Sequence, residues 1–274
     1  MGGSVFGAWF FRLGDVQCTD QPRFEVTVSG QTSLFISCFN DFLFPESVEA
    51  AVRVLRHLDV QVSVPKGQTC CGQIHYNTGY GDMAIPLVRA FVDRFKDFDA
   101  VISISGSCTA MVREQYQRLA YRTNDQKLIK ATEDLSKRIF EFTDYLTKVL
   151  GIESTGSYYP HRVTYHPTCH SLRSLHIYES ALKLLRNVKG LELVELPHAE
   201  QCCGFGGTFS VKNEPVSTAM LFDKMANIEN TGAETLVALD NSCLMHIGGG
   251  LRRINSGISV MHIAEVLASG LDRG

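Results

Sequence analysis

Short apolar runs alternate with longer amphipathic stretches along most of this chain. The apolar runs predict buried strands, at 33–37, 60–64, 100–104, 162–166, 191–196, 235–239 and 258–261. The stretches between them carry apolar residues at helical spacing, which predicts helices at about 45–58, 83–96, 171–186 and 216–231, with others beginning near 109 and 263. Strands that alternate with helices indicate parallel sheets joined by right-handed crossovers. The expected fold class is therefore α/β.

The same order of elements occurs twice. We assign a first repeat to residues 32–114 and a second to 161–274, each forming a Rossmann-like parallel sheet flanked by helices. Residues 115–160 are polar, with apolar positions at helical spacing between 135 and 146, and are interpreted as a helical connector. Residues 1–31 do not join the pattern and are interpreted as an N-terminal extension outside the fold.

Eight of the nine cysteines share this duplication. Each half contains a lone cysteine, an adjacent pair followed by glycine, and another lone cysteine: Cys38, Cys70, Cys71 and Cys108, then Cys169, Cys202, Cys203 and Cys243. The intervening gaps are 31 and 36 residues in the first half and 32 and 39 in the second. Each lone cysteine or pair comes shortly after a predicted strand. Because functional groups gather beyond the carboxyl ends of parallel strands, four thiols per half are expected at one sheet edge. The two sites are expected in a shared cleft or on neighbouring edges.

Metal ligation explains this pattern better than disulfides do. A disulfide between adjacent cysteines would distort the planar peptide that joins them. Four thiolates match the ligand count of a 4Fe–4S cluster and of a tetrahedral zinc site. Ligands that come from three separate strand ends favour a cluster in at least one half. Structural zinc in both halves, a disulfide framework and unliganded buried cysteines are the alternatives.

The second half is the more cluster-like of the two. Gly204, Gly206 and Gly207 follow its cysteine pair and offer backbone N–H groups to cluster sulfides. Cys18 has no counterpart in the other repeat and is not expected to be a ligand. Three histidines also lie near the cysteines, at 166, 170 and 246. Packing or hydrogen bonding is their simplest role, and a proton relay or a contact to a carboxylate substrate is the alternative.

Composition and charge limit the class of protein, the partners and the location that are expected for such a site. Hydrophobic residues make up 45 % of the 274 residues and charged ones 20 %, which is typical of a globular protein. With 26 basic and 29 acidic residues the net charge is −3, so no electrostatic footprint for nucleic acid is present. No apolar run is long enough for a membrane span. The apolar patch at 5–11 lacks the flanks of a secretory signal, so a reducing, cytoplasmic location is expected.

The doubled cysteine pattern resembles the cysteine-rich (CCG) domain family, which includes the cysteine-rich component of heterodisulfide reductase, the iron–sulfur component of glycolate oxidase and the lactate utilisation proteins. The lactate utilisation proteins are the most similar, to judge by Gly67–Gln73, His166–His170 and Cys202–Ser210. The resemblance covers the chain from about residue 33 onward. Some relatives are thought to hold zinc in the first repeat. The resemblance therefore implies a 4Fe–4S cluster in at least the second repeat and a 4Fe–4S cluster or zinc in the first.

By this resemblance the chain is an iron–sulfur electron-transfer subunit of a system that oxidises L-lactate to pyruvate, with no catalytic residue of its own assigned. The implied partners are a ferredoxin-type iron–sulfur subunit, a third small subunit and a small 2-hydroxy acid substrate of the complex. A heterodisulfide reductase-like thiol–disulfide oxidoreductase, a glycolate oxidase iron–sulfur subunit and a zinc-bound structural subunit are the alternatives. Heterodisulfide reductase repeats end in Cys-x-x-Cys, but the earlier position is Ser105 in one half and Asp240 in the other. An ordinary electron-carrying cluster therefore fits better.

Overall fold

The structure, a computed structural model, describes residues 32–271. The interpretation of residues 1–31 as an extension, and the role of Cys18, concern a part of the chain outside this range. The described strands are β1 (Thr32–Phe35), β2 (Ala100–Ser103), β3 (Ile139–Glu141), β4 (Arg162–His166), β5 (Glu192–Val194), β6 (Thr235–Ala238) and β7 (Ser259–His262).

Helices occupy most of the remaining described chain. In the first half they are α1 (Cys38–Leu43), α2 (Pro45–His57), α3 (Gln73–Asn77), α4 (Gly81–Phe95), α5 (Gly106–Ala110), α6 (Tyr116–Tyr121), α7 (Gln126–Ser136) and α8 (Phe142–Asp144). In the second half they are α9 (Cys169–Arg173), α10 (Tyr178–Arg186), α11 (Phe209–Lys212), α12 (Glu214–Glu229), α13 (Asn241–Arg253) and α14 (Ile263–Leu267). Two π-helical turns, Met111–Gln115 and Tyr145–Val149, join α5 to α6 and extend α8.

The strands form two parallel sheets, as the α/β prediction requires. The first has the order β1-β2-β3 and the second β5-β4-β6-β7. The strand predicted at 60–64 is reduced to one bridge, in which the Leu34 N–H donates to the Ser63 carbonyl at 2.8 Å. Pro65 lacks an N–H and cannot extend this pairing. The bridge lies beside β1, in the position that β5 takes beside β4.

The predicted helical connector is not helical throughout. Residues 139–141 form β3, which pairs with β2 in the first sheet. Of the apolar positions at helical spacing, Leu135 and Ile139 are buried on one side of the first sheet and Phe142 and Leu146 on the other, so they do not form one helix face. Elsewhere the helix predicted at 171–186 is divided into α9 and α10 around His176, whose φ is 53°. Helix α13 lies where the sequence pattern predicts no helix.

Buried side chains form three layers. Strand residues alternate between two faces: Leu34 and Ile102 face the middle of the molecule, whereas Phe35 and Val101 face the outer helices α4, α6 and α7. The second sheet likewise contributes to the middle core and to an outer core under α12 and α13. The middle core contains α2, α8, α10 and α14 and belongs to both halves.

The two halves exchange their last helices in this middle core. Helix α14, which follows the last strand of the second half, packs on α2 of the first half. Helix α8 follows the last strand of the first half and packs on α10 of the second. The Ser47 hydroxyl donates to Glu265 Oε1 at 2.6 Å across the first of these contacts. This reciprocal packing places the carboxyl ends of both sheets beside one another.

Candidate metal centre

One open cavity lies at the carboxyl ends of both sheets. All eight cysteines of the duplicated pattern line it: Cys38, Cys70, Cys71, Cys108, Cys169, Cys202, Cys203 and Cys243. Cys38 is exposed, the first member of each pair and Cys169 are half-buried, and the others are buried. The structure thus brings together every cysteine that the sequence pattern singled out within the described residues.

The first quartet is a chain of neighbouring thiols. Cys38 begins α1 directly after β1, and Cys108 lies in the first turn of α5 after β2. The Cys71 and Cys108 Sγ atoms are 3.3 Å apart. Cys70 accepts hydrogen bonds from Cys38 and Cys71, which lower the pKa of Cys70 to about 3. Hydrogen bonding to Cys108 and Cys70, with burial, raises the pKa of Cys71.

The second quartet repeats this arrangement. Hydrogen bonds from Cys169 and Cys203 lower the pKa of Cys202 to about 2. Hydrogen bonding to Cys202 and to Cys243, together with burial, raises the pKa of Cys203. In each quartet the first cysteine of the pair therefore accepts hydrogen bonds from two of the other three thiols, which favour its thiolate form. Three further thiols that lose their protons on binding a metal would complete a four-sulfur ligand set.

The glycine after each cysteine pair aims its N–H back at the pair. Gly72 and Gly204 have φ values of 84° and 90°, and their N–H groups donate to the Sγ atoms of Cys70 and Cys202, each at 3.4 Å. Only glycine adopts such a conformation at little cost. Gly206 and Gly207, with φ of 52° and 65°, continue the loop along the cavity wall.

The three histidines occupy different environments. His166 is buried, neither of its ring nitrogens has a hydrogen-bond partner among the described residues, and burial lowers its pKa to about 3. One of those nitrogens and the sulfurs of Cys203 and Cys243 all lie within 4.8 Å of one another. His170 Nδ1 is 3.6 Å from Cys169 Sγ, and its Nε2 is 3.3 Å from Gln73 Nε2. His246 packs against Phe205.

Ser105 and Asp240 join the two halves at the floor of the cavity. Both are N-cap residues of helices that carry a cysteine, α5 and α13. Asp240 Oδ1 accepts from the hydroxyls of Ser105, at 2.6 Å, and Ser107, at 3.0 Å. Its Oδ2 accepts from the Ser107 N–H at 2.9 Å. Burial raises the pKa of Asp240, and these hydrogen bonds oppose that shift.

The donor set fits a metal or an iron–sulfur cluster. Each quartet supplies four sulfurs and a backbone N–H aimed at sulfur, and such N–H groups accompany thiolate-ligated clusters. Buried ring nitrogens without a partner among the described residues occur beside both quartets, at His75 Nδ1, which interacts electrostatically with Cys70, and at both nitrogens of His166, and a bound group is one explanation of such atoms. Of the two arrangements expected from the sequence, the quartets adopt the shared cleft.

Comparison with known proteins places this chain in a family. The family model of the cysteine-rich domain, CCG, matches residues 32–113 and again 163–248. The chain belongs to the cysteine-rich domain family. Each matched segment contains one complete cysteine quartet, so the two cysteine-rich domains of the chain correspond to its two candidate metal sites.

Relatives of similar length support this assignment. Lactate utilization protein A 2 of Bacillus cereus (strain Q1) is 41 % identical over 243 residues, which are 89 % of this chain and 100 % of the relative. Lactate utilization protein A of Bacillus velezensis is 44 % identical over 239 residues, 87 % of this chain and 99 % of the relative. Both alignments therefore span the two cysteine-rich domains.

A solved structure supports the fold alone. The crystal structure of a hypothetical protein from Helicobacter pylori superposes with a TM-score of 0.58 at 10 % identity. The match covers 88 % of this chain and 49 % of the other, so the chain spans about half the length of that protein. Within residues 32–271 no helix combines the length and the apolar character that a membrane span needs.

Proposed function

We propose that this protein is an iron–sulfur electron-transfer subunit of a system that oxidises L-lactate to pyruvate. The observation that carries the proposal is the convergence of two thiol quartets on one cavity in a chain whose relatives are named for lactate utilization. A bound 4Fe–4S cluster supplies one-electron transfer at a potential that its surroundings adjust. We assign a cluster to the second quartet and a cluster or zinc to the first.

The chain's own residues then act as ligands and as the surrounding matrix. The proposed ligands are the eight cavity cysteines, and the N–H groups of Gly72 and Gly204 stabilise the thiolates beside them. Gly206 and Gly207 line the same cavity and are proposed to approach the second cluster. Lactate oxidation releases two electrons, so partner subunits have to take the hydride equivalent and carry single electrons onward. We propose a ferredoxin-type iron–sulfur subunit and a third small subunit in the cytoplasm.

The contact between Ser105 and Asp240 favours electron transfer over heterodisulfide reduction. In the heterodisulfide type, an additional thiol at these two positions supports an unusual cluster that cleaves disulfides. Here both positions are buried and bonded to each other. One position carries a hydroxyl and the other a carboxylate, so neither position supplies a thiolate. We therefore propose four-sulfur sites of the electron-carrying kind.

Metal content tests the proposal directly. Anaerobically purified protein should be brown, contain iron and acid-labile sulfide in equal amounts, and become paramagnetic on reduction by one electron per cluster. Iron, sulfide and zinc analysis, visible absorption and electron paramagnetic resonance measure these properties. Colourless protein that contains zinc but no iron would refute the electron-transfer function and support a structural subunit.

Single substitutions then test which quartet holds a cluster. Cys203→Ser should remove the cluster of the second quartet, whereas Cys71→Ser, at the equivalent position, should affect only the first. Cys18→Ser is the matched control, because Cys18 belongs to neither quartet. A Cys203→Ser protein with the iron content and spectrum of the wild type would contradict the ligand assignment.

A further inference from the structure

Different side chains lie beneath the two quartets, at equivalent positions of the two halves. Phe35 and His166 each end the first strand of their half and lie three residues before the lone cysteine that follows it. Phe35 pairs with Ser103 and His166 with Ala238, which are again the last residues of equivalent strands. The first half thus has a phenylalanine where the second has a histidine.

A second residue difference between the halves lies on the helix that covers the cysteine pair. In the first half a Cβ on Gly72 would lie 3.3 Å from Ala84 Cβ, and in the second a Cβ on Gly204 would lie 2.5 Å from the Ser217 carbonyl oxygen. Ala84 and Ser217 are therefore equivalent. Counting seven residues, two helical turns, from each gives Phe91 in α4 and Lys224 in α12.

These pairs create opposite surroundings. Phe35 and Phe91 are in edge contact with ring centroids 4.7 Å apart, and the Phe91 ring also contacts Tyr116. The first quartet therefore lies above an aromatic, uncharged cluster, and His75, which is outside this cluster, interacts electrostatically with Cys70. In the second half Lys224 and His166 interact electrostatically with each other and with the thiols of that quartet.

Lys224 is a buried charge that is held in place. Its side chain is 0 % exposed, and Nζ donates to the carbonyl oxygens of His198 at 2.9 Å and Ala199 at 3.5 Å. Both acceptors belong to the loop that leads to the cysteine pair. A buried lysine is retained where an anion compensates it. Burial lowers the pKa of Lys224, and the thiol of Cys203, ahead of the exposed carboxylate of Glu200, opposes that shift and favours the charged amine.

We propose that Lys224, assisted by the ring N–H of His166, makes the second quartet the stronger electron acceptor of the two sites. This inference rests on the proposed function. A fixed positive charge lowers the energy of adding an electron to a nearby centre, and the low dielectric of the interior strengthens this effect. Hydrogen bonds to cluster sulfurs act in the same direction. The Phe35 and Phe91 pair offers neither.

The consequence is a direction for electron flow within the chain. If each quartet held a cluster, one electron would leave the first site, which would be oxidised, and enter the second, which would be reduced. No proton or bond change accompanies this step. With zinc in the first quartet, the electron reaches the second site from a partner subunit, and Lys224 still determines how strongly that site accepts it.

The test is a redox titration of the anaerobic protein, followed by electron paramagnetic resonance. Lys224→Met removes the charge and keeps much of the volume. We expect its second-site equilibrium constant for reduction to fall about tenfold or more, which is about 59 mV for one electron. Lys212→Met is the matched control, because Lys212 lies at the exposed end of α11 over the Tyr80 ring. It should leave the potential unchanged.

A second variant keeps the inference open to refutation if Lys224→Met does not fold. The double substitution His166→Phe with Lys224→Phe gives the second quartet the pair that the first already carries, and its potential should move toward that of the first site. Lys224→Arg retains the charge and should keep most of the wild-type potential. Unchanged potentials in iron-loaded Lys224→Met protein would overturn this inference alone, whereas wild-type protein without iron would overturn the proposed function as well.

Discussion

Ser105 and Asp240 occupy the same position in the two repeats and hydrogen-bond to each other, with Ser105 Oγ 2.6 Å from Asp240 Oδ1. Their backbones have nearly the same conformation, with φ and ψ of −141° and 111° for Ser105 and −137° and 115° for Asp240. Asp240 makes no side-chain cap bond to its own helix α13. It caps α5 of the other repeat by accepting from the Ser107 N–H. The interface between the repeats therefore depends on this carboxylate.

Asp240→Ala should lower the free energy of unfolding by about 3 kcal/mol, because it leaves two hydroxyls and one N–H without their acceptor in a buried place. Asp240→Asn keeps one acceptor oxygen and should cost about 1 kcal/mol. Thermal unfolding of the protein in one fixed metal state measures both changes. Glu133→Ala, which removes an exposed ion pair with Lys137, is the control and should cost less than about 0.5 kcal/mol. Equal losses for Asp240→Ala and the control would show that the cap does not hold the repeats together.

Gly204→Ala should destabilise the protein far more than Gly207→Ala does. Both positions have positive φ, which costs an L-residue about 1 kcal/mol. At Gly204 the new methyl group would also lie 2.5 Å from the Ser217 carbonyl oxygen, whereas at Gly207 it would meet nothing within 4 Å. We therefore expect Gly204→Ala to lose the cluster of the second quartet and Gly207→Ala to retain it. Iron content and melting temperature of the two proteins measure the difference.

The wild-type protein should lose stability as the pH falls through the range set by His262. This residue is fully buried at the N-cap of α14, its Nδ1 accepts from the Ala264 N–H, and burial lowers its pKa from 6.5 to about 4. As the pH falls, the unfolded chain takes up the proton before the folded protein does. The contribution of His262 to the free energy of unfolding, about 3 kcal/mol, is therefore complete above pH 6.5 and is lost as the pH falls from 6.5 to about 4.

His262→Asn keeps a good N-cap without this titration. Urea unfolding across that pH range should give a flatter profile for the variant than for the wild type. His57→Asn, at the exposed end of α2, is the control and should follow the wild type. Parallel profiles for wild type and His262→Asn would contradict the prediction.

The stability contribution of Glu141 should change with pH in the opposite direction to that of His262. His262 holds the equivalent position in the second half. Glu141 ends β3 and caps α8, and burial raises its pKa from 4.5 to about 8. The folded state keeps the proton longer than the unfolded chain does, so this stabilising contribution is complete below pH 4.5 and is lost as the pH rises through about 8. Glu141→Gln stays neutral and should gain stability relative to wild type as the pH rises. A stability difference that does not change with pH would be the contrary result.

Much of the architecture can be predicted from the chain because strand and cysteine spacing are both local signals. The strands that lead to Cys38, Cys108, Cys169 and Cys243 lie within a residue or two of their predicted places. Parallel pairing then brings the cysteines to one sheet edge. Prediction is weaker where tertiary contacts override local pattern. The spacing around β3 predicts helix, and α13 escapes prediction because its run of three glycines, at 248–250, argues against a helix in isolation.

The site itself contains features that no single repeat reveals. Whether the quartets share a cleft or lie on neighbouring edges depends on how α2 and α14 pack, which no local pattern encodes. Lys224 looks like an exposed helical lysine in the sequence, and only alignment of the repeats on Gly72 and Gly204 shows that it replaces Phe91. His166 stands out beside the cysteines in the sequence, but its burial and its missing partners come from the fold.

The exchange of terminal helices has a consequence for biosynthesis. The Ser47 hydroxyl finds its Glu265 acceptor 218 residues later in the chain, and α2 has no covering helix until α14 has left the ribosome. Translation proceeds from the N-terminus, so the first repeat emerges with one side of its long helix uncovered. The first repeat therefore cannot complete the packing of α2 until the end of the second repeat has been synthesised.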